Sequence, residues 1–332
     1  MPLTDEQKQH WLDHGFIKVS QCFSREAAEN FTSSIWSRLD ISPIDKSTWT
    51  TERINMPGHT VVSVSDFAPI AWEAICELVG GEDRIADWCK GWRDSWIINL
   101  GKPEYSPEDS LDFRTLDNWH NDGDWFTHFL DSGEQAMLVI PLFSDIKPKG
   151  GGTVICTDGI RLVAKHLYDH PEGTWPSLVS CAEPCPPTSE QGKKWKDWVN
   201  DPDLARASSF YEATGEIGDV YLLHPFMLHS ASRNLRRDVR IITNPPVTLK
   251  GHFNYNRPDG QYSLVEQKTL RDLGRDAGLP EWRITGERMM LTPARVQIQE
   301  DMRRKEIERL SKAGVSVTKL AGAKTLDSYY PS

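Results

Sequence analysis

No G-x-G-x-x-G turn follows a strand-like run in this sequence and no phosphate loop occurs in it, which counts against dinucleotide and nucleotide binding. No apolar run approaches the length of a membrane span, and the opening M-P-L-T-D-E-Q-K-Q-H lacks an apolar leader core. Basic charge is in the minority. Against 48 Asp and Glu stand 38 Lys and Arg, and the net charge of −10 has the wrong sign for a nucleic-acid surface. The nearest approach to a basic patch is Arg233, Arg236, Arg237 and Arg240, of which the first three read as a solvated loop before a strand. The six cysteines (Cys22, Cys76, Cys89, Cys156, Cys181, Cys185) form no C-x-x-C framework. Cys181 and Cys185 alone lie close, and without a second pair they read as free thiols of a reducing compartment. The closing D-S-Y-Y-P-S is no familiar address. These absences lead us to expect a cytoplasmic globular protein with neither membrane nor nucleic acid as partner.

What remains is ordinary globular composition, 38% hydrophobic and 26% charged over 332 residues, enough for a large core. Thr4 with Gln7 forms a capping-box pattern that opens a helix ended by Gly15, and Phe16 to Val19 reads as a strand. Ser24 opens a second helix over 25–39, with Phe31, Ile35 and Leu39 near a 3.6 period. Residues 40–59 look irregular, 67–80 helical, and 82–88 a short helix. From Trp92 the pattern changes to strands: 94–100, 135–143 and 152–157, then 219–223, 226–230 and 239–243. An insertion, 160–213, carries two short helices at 160–170 and 191–198. A charged helix around 294–311 ends the chain as a solvated face or a homo-oligomer contact. Helices first, many short strands next and a helical tail last point to a mainly β domain with flanking helices. We read 1–332 as one domain: a mainly helical N-terminal region over 1–91, a β core over 92–250 and a helical extension over 251–332.

The chemistry concentrates in Asp117–Trp125, D-N-W-H-N-D-G-D-W. In extended chain, positions i and i+2 share a face, so His120 and Asp122 can hold one ion. Two histidines and one carboxylate with open positions make the facial triad of non-haem Fe(II), which leaves room for O2 and a bidentate co-substrate. Asp124 is then a structural acceptor. The distal histidine is His224 or His229, both in Y-L-L-H-P-F-M-L-H-S. Arg240, the eleventh residue after His229, lies in the strand-like D-V-R-I-I-T; a buried guanidinium there needs an anionic partner, which a dicarboxylate would supply. His128, Trp119, Trp125 and Phe126 read as packed aromatic neighbours that can also line a pocket.

Taken together, W-H-N-D, G-G-G-T-V-I, H-P-F-M-L-H-S-A-S-R-N and the arginine eleven residues on resemble the phytanoyl-CoA dioxygenase-like family of Fe(II)- and 2-oxoglutarate-dependent oxygenases. The opening L-T-D-E-Q…H-G-F-I-K-V is similar to that family's first helix and strand, and the likeness spans roughly 1–250. It implies a double-stranded β-helix, a jelly-roll and cupin-like core. It also implies His120, Asp122 and His229 as iron ligands, and Arg240 with Thr153 on the distal carboxylate of 2-oxoglutarate. Asn118 matches a position that contacts the co-substrate. The implied activity is oxidation, by hydroxylation or desaturation, of a small organic molecule with O2, releasing succinate and CO2. The Trp-rich insertion points toward a secondary metabolite. C-T-D-G-I after the threonine strand replaces the family's P-G-S-H turn, and Asp122 argues against halogenation. The competing readings are a cupin-like binding protein without oxidation and an Fe(II) oxygenase that does not use 2-oxoglutarate.

Overall fold

The computed structural model describes residues 3–185, 193–314 and 324–325. Its helices are α1 (Asp5–His14), α2 (Arg25–Thr32), α3 (Ile35–Leu39), α4 (Val64–Phe67), α5 (Pro69–Val79), α6 (Asp158–Asp169), α7 (Lys193–Asn200), α8 (Leu264–Asp272) and α9 (Arg295–Lys312). The strands are β1 (Phe16–Val19), β2 (Arg53–Asn55), β3 (Thr60–Ser63), β4 (Gly91–Arg93), β5 (Ile97–Asn99), β6 (Met137–Pro141), β7 (Thr153–Cys156), β8 (Phe210–Glu212), β9 (Val220–Leu223), β10 (Leu228–Ala231), β11 (Arg240–Ile242), β12 (Pro246–Val247) and β13 (Lys324–Thr325).

Every strand pairing is antiparallel, in four sheets ordered β1-β9-β6-β12, β10-β7-β8, β11-β5-β2 and β13-β3-β4. The chain is thus a mixed helix and sheet protein. Leu142 bridges to Ile242, and the Phe143 amide donates to Ile241 O at 2.9 Å, so the end of β6 carries the first sheet on into β11. The apolar run of β6 is wholly buried, as a strand covered on both faces should be. An aromatic group of Phe23, Phe31, Phe67, Trp92, Trp96 and Phe143 fills the space behind it, with ring centroids 4.6–6.3 Å apart.

Several elements depart from the sequence expectation. The helix expected over 25–39 is two, α2 and α3. At the break Thr32 Oγ1 donates to Ala28 O (2.8 Å) and Ser33 Oγ to Asn30 O (2.7 Å), the local side-chain bonding that competes with helix propagation. Helix 67–80 is α4 and α5, separated at Pro69, which starts α5. Residues 82–90 form only two 3-10 turns, and the irregular 40–59 contains β2. The mainly helical region 1–91 therefore also gives strands, and β1 joins the sheet of β6 and β9. All the expected core strands are present but shorter by one to four residues, since pairing with a partner strand decides where a ladder stops. Of the helix expected at 191–198, the first two residues lie outside the described residues, and α7 runs on to Asn200.

Helix α8 has no counterpart among the sequence expectations, although Ser263 and Glu266 make a full capping box. It packs on α1, α5 and α6; Trp11 Nε1 donates to Leu264 O (3.0 Å) and Lys268 Nζ to Asp13 O (3.2 Å). The last helix, α9, lies on α3 and is far from a merely solvated one. Its Glu306 is fully buried, 2.9 Å from Arg38 Nε and 2.8 Å from His59 Nε2, and Arg38 also meets Asp94 at 3.0 Å.

Candidate metal centre

His229 sits in β10, between β7 on one side and the segment carrying His120 on the other. The His120 amide donates to His229 O and the His229 amide to His120 O, both at 3.0 Å, a reciprocal pair that places the two side chains together on one face. Their ring centroids are 4.2 Å apart. Each Nδ1 donates to the carbonyl two residues upstream, His120 to Asn118 O (2.7 Å) and His229 to Met227 O (3.0 Å). A carbonyl only accepts, so the proton is on Nδ1 and the Nε2 lone pair of each ring is free to ligate. Asp122 Oδ1 lies 3.3 Å from His120 Nε2 and 3.7 Å from His229 Nε2. All three donor atoms fall within 4.8 Å of one another. Neighbouring ligands of an ion at about 2.1 Å stand roughly 3 Å apart, so the set fits one cation with little movement.

The electrostatics agree with that use. Burial opposes ionisation of Asp122, yet His229, His120 and Arg295 outweigh it and hold the carboxyl well below its ordinary value. Burial, and then the neighbouring His120, bring the pKa of His229 down to about 4. Burial pushes His120 down as well, but the hydrogen bond it can donate to Asp122 and the charge of that carboxylate win, and its pKa is raised. Side-chain exposure is 33% for His120, 18% for Asp122 and 9% for His229, so the open side of the cluster faces out past His120.

The other sequence candidates separate clearly. Thr153 pairs with Ala231 in the β7–β10 register, two residues from the level of His229, and so shares the face that carries the histidines. Arg240 is 1% exposed; its Nε donates to Gly151 O (2.8 Å) and its Nη1 to Ile97 O (3.1 Å), which brings it next to the start of the Thr153 strand. Gly151 has φ +80, and a Cβ there would stand 2.7 Å from Asn99 Nδ2, so only glycine lets this turn approach β5. Arg240 and Arg53 both pair with Asn99, from opposite sides of β5. Burial first and Arg53 second push the pKa of Arg240 down to about 9, and no carboxylate lies within salt-bridge distance of it among the described residues. Among the described residues Arg53 has only a distant carboxylate partner, Asp117 (3.7 Å). Asn118 is exposed and its observed role is that of its carbonyl, which aims His120.

His224 does not join the cluster. Its Nδ1 accepts from the Phe226 amide (3.2 Å) and its Nε2 donates to Thr269 Oγ1 (2.9 Å), which ties β9 to α8. Burial lowers its pKa to about 3. Trp119 is core, with Nε1 on Phe113 O (3.2 Å). His128 and Phe126 stack at 4.5 Å beneath the metal loop. Arg236 pairs with Asp238 (3.1 Å), and Arg237 lies over Trp49.

No family model matches the chain. A curated relative, the probable alpha-ketoglutarate-dependent hypophosphite dioxygenase of Stutzerimonas stutzeri, is 24% identical over 234 residues, covering 69% of this chain and 73% of that protein. The chain is similar to a 2-oxoglutarate-dependent dioxygenase. Solved structures with some likeness include the non-heme alpha-ketoglutarate-dependent carbocyclase SnoK from nogalamycin biosynthesis, at 16% identity and TM-score 0.41 over 87% of this chain and 97% of that one. HygX from Streptomyces hygroscopicus, with nickel, 2-oxoglutarate and hygromycin B bound, stands at 15% identity and TM-score 0.38 over 72% of this chain and 85% of that one.

Sequence reasoning missed what holds the metal loop. Asn121 Nδ2 donates to Pro225 O (2.6 Å) on its upstream side. On the downstream side Gly123 turns at φ +117, and His128 Nε2 donates to its carbonyl (2.7 Å). Residues 289–291 then run beside 125–127: the Thr127 amide donates to Met289 O (3.0 Å) and the Leu291 amide to Trp125 O (2.7 Å). Asp124, expected to be a structural acceptor, takes both Nε and Nη2 of Arg295, at 2.6 and 2.7 Å. No local pattern marks these last contacts, because they join segments more than 160 residues apart.

Proposed function

We propose that this chain is an Fe(II)- and 2-oxoglutarate-dependent dioxygenase that oxidises a small organic molecule with O2, releasing succinate and CO2. The observation that carries the reading is the convergence of His120, Asp122 and His229 with both Nδ1 protons committed to carbonyls. The 24% identical relative named for alpha-ketoglutarate and dioxygenase activity supports it. We take residues 1–332 as one oxygenase unit whose antiparallel sheets form a double-stranded β-helix, with His120 and His229 on its inner face.

His120 Nε2, His229 Nε2 and Asp122 Oδ1 would hold the iron. Two imidazoles and one carboxylate suit a divalent transition ion such as Fe(II), and open positions on the far side suit a chelating co-substrate. The bound iron supplies O2 activation coupled to loss of CO2 from the 2-oxo acid. The protein's own residues bind and orient. Thr153 is offset from His229 by two residues along the strands, about 7 Å, which suits a five-carbon dicarboxylate chelated at one end. Its far carboxylate would meet Thr153 and the remaining donors of Arg240. That anion would answer the surplus positive charge of Arg240 and Arg53, which the described residues leave with one distant carboxylate. Asn118 would act beside the co-substrate and through its carbonyl on His120.

The test is optical. Under anaerobic conditions, Fe(II) and 2-oxoglutarate together should give a weak visible charge-transfer band that neither gives alone. Admitting O2 should yield succinate. A protein that binds Fe(II) yet shows no band and no succinate would be a metal-binding protein of another kind.

A further inference from the structure

We infer that Arg295 is a positioning residue for the metal centre: it fixes, through Asp124, the turn that presents Asp122. The inference rests on the metal-centre reading above. His120 and His229 are set by their mutual backbone bonds, whereas Asp122 lies on a turn outside any ladder. Its upstream neighbour Asn121 is tied to Pro225 O, so the freedom left is on the Gly123 side. There the chain turns through a glycine with φ +117, a backbone region open to few other residues. The residue after that hinge, Asp124, accepts a two-pronged bond from Arg295, the geometry with most directional constraint for a guanidinium and a carboxylate.

Arg295 is itself held at a fixed place. It is the first residue of α9, and that helix is pinned by Glu306, buried against Arg38 and His59. Upstream of Arg295, residues 289–291 are bonded along 125–127. The C-terminal segment is therefore a strap laid along the downstream side of the metal loop; Arg288 pairs with Asp131 farther on (2.6 Å), and Arg295 is the cation that meets the turn at Asp124. The pair is half exposed, with side chains at 48% and 45%, so its share of folding stability is small. Its effect should appear when an ion demands one fixed position of Asp122.

Mn(II) titration of the full chain tests this, with Arg295→Gln, Asp124→Asn and the double variant. If Arg295 acts through Asp124, each single change and the double weaken Mn(II) binding by a similar factor, about tenfold, while the melting temperature of the metal-free protein stays within a few degrees. Arg295→Lys, which keeps the charge and loses the fork, weakens binding in the same direction. For Arg295→Gln a plain charge effect has the opposite sign, because removing a cation beside a metal site tightens it; for Asp124→Asn it has the same sign, so the arginine variant decides. Unchanged or tighter binding by Arg295→Gln overturns the inference, and so does a fall in melting temperature that tracks the loss of affinity. Wild-type protein that fails to bind Mn(II), or an Asp122→Ala variant that binds it as well, overturns the metal-centre reading and this inference with it.

Discussion

Replacing Arg240 by methionine separates the co-substrate's site from the metal's. The guanidinium is 1% exposed and its pKa is held at about 9 against an ordinary 12.5, chiefly by burial and secondly by Arg53. At roughly 1.4 kcal/mol per pKa unit, keeping that charge buried beside Arg53 costs several kcal/mol. Its bonds to the carbonyls of Gly151 and Ile97 are already made, so they do not explain why evolution would tolerate a cation here. The carboxylate proposed above would. Charge-assisted bonds of about 1.5–3 kcal/mol each, made by two donors, predict that Arg240→Met raises the dissociation constant of 2-oxoglutarate by a factor of roughly 100 to 20,000. Metal-free stability should change by less than about 2 kcal/mol, since relief of a buried cation without a carboxylate partner is offset by loss of its bonds to Gly151 O and Ile97 O. Titrating the anaerobic Fe(II) protein with 2-oxoglutarate gives the first quantity, thermal denaturation the second and Mn(II) binding the control. An unchanged 2-oxoglutarate requirement, or a variant destabilised by several kcal/mol, would remove Arg240 from its role and make it a structural cation.

Three further outcomes are expected. Burial, and then Lys268, hold the pKa of His224 near 3 against an ordinary 6.5, so the unfolded chain takes up this proton first as pH falls. The stability it contributes is complete above about pH 6.5 and is lost below it, by up to about 1.4 kcal/mol per pH unit. Urea unfolding of His224→Gln at pH 7 and pH 5 should show a shallower pH loss than wild type; equal slopes would refute the assignment. Glu306→Ala leaves Arg38 with Asp94 alone in a buried site and should cost about 3 kcal/mol; a change under 1 kcal/mol in chemical denaturation would show that α9 is only loosely docked. Gly123→Ala puts a Cβ 2.7 Å from the Phe126 ring and 2.9 Å from His128 at φ +117, so it should weaken Mn(II) binding well beyond twofold. Unaltered binding would mean that the metal loop does not need this turn.

Some of this protein is readable from neighbouring residues alone. Thr4 with Gln7 caps α1 and Gly15 ends it as expected, because a cap is satisfied within one turn. His120 and Asp122, two residues apart, are near enough for one ion to reach both, although a bend at Asp122 rather than extended chain brings the carboxylate to the ring, and the apolar run of β6 declares a buried strand. The Ser263 and Glu266 box is equally local and could have announced α8. Other features depend on segments that meet only in three dimensions. Nothing near His224 or His229 distinguishes them chemically. One pairs with the His120 backbone and the other is taken by Thr269 of α8. The meeting of Arg240 with Arg53 across Asn99 and the reach of Arg295 to Asp124 follow from strand register and helix docking. Local pattern settles which side chains are available for chemistry, because hydrogen bonding and rotamer limits act within a turn or a strand. Tertiary structure settles which of them meet, because antiparallel pairing between residues more than 100 positions apart leaves no trace in either segment alone.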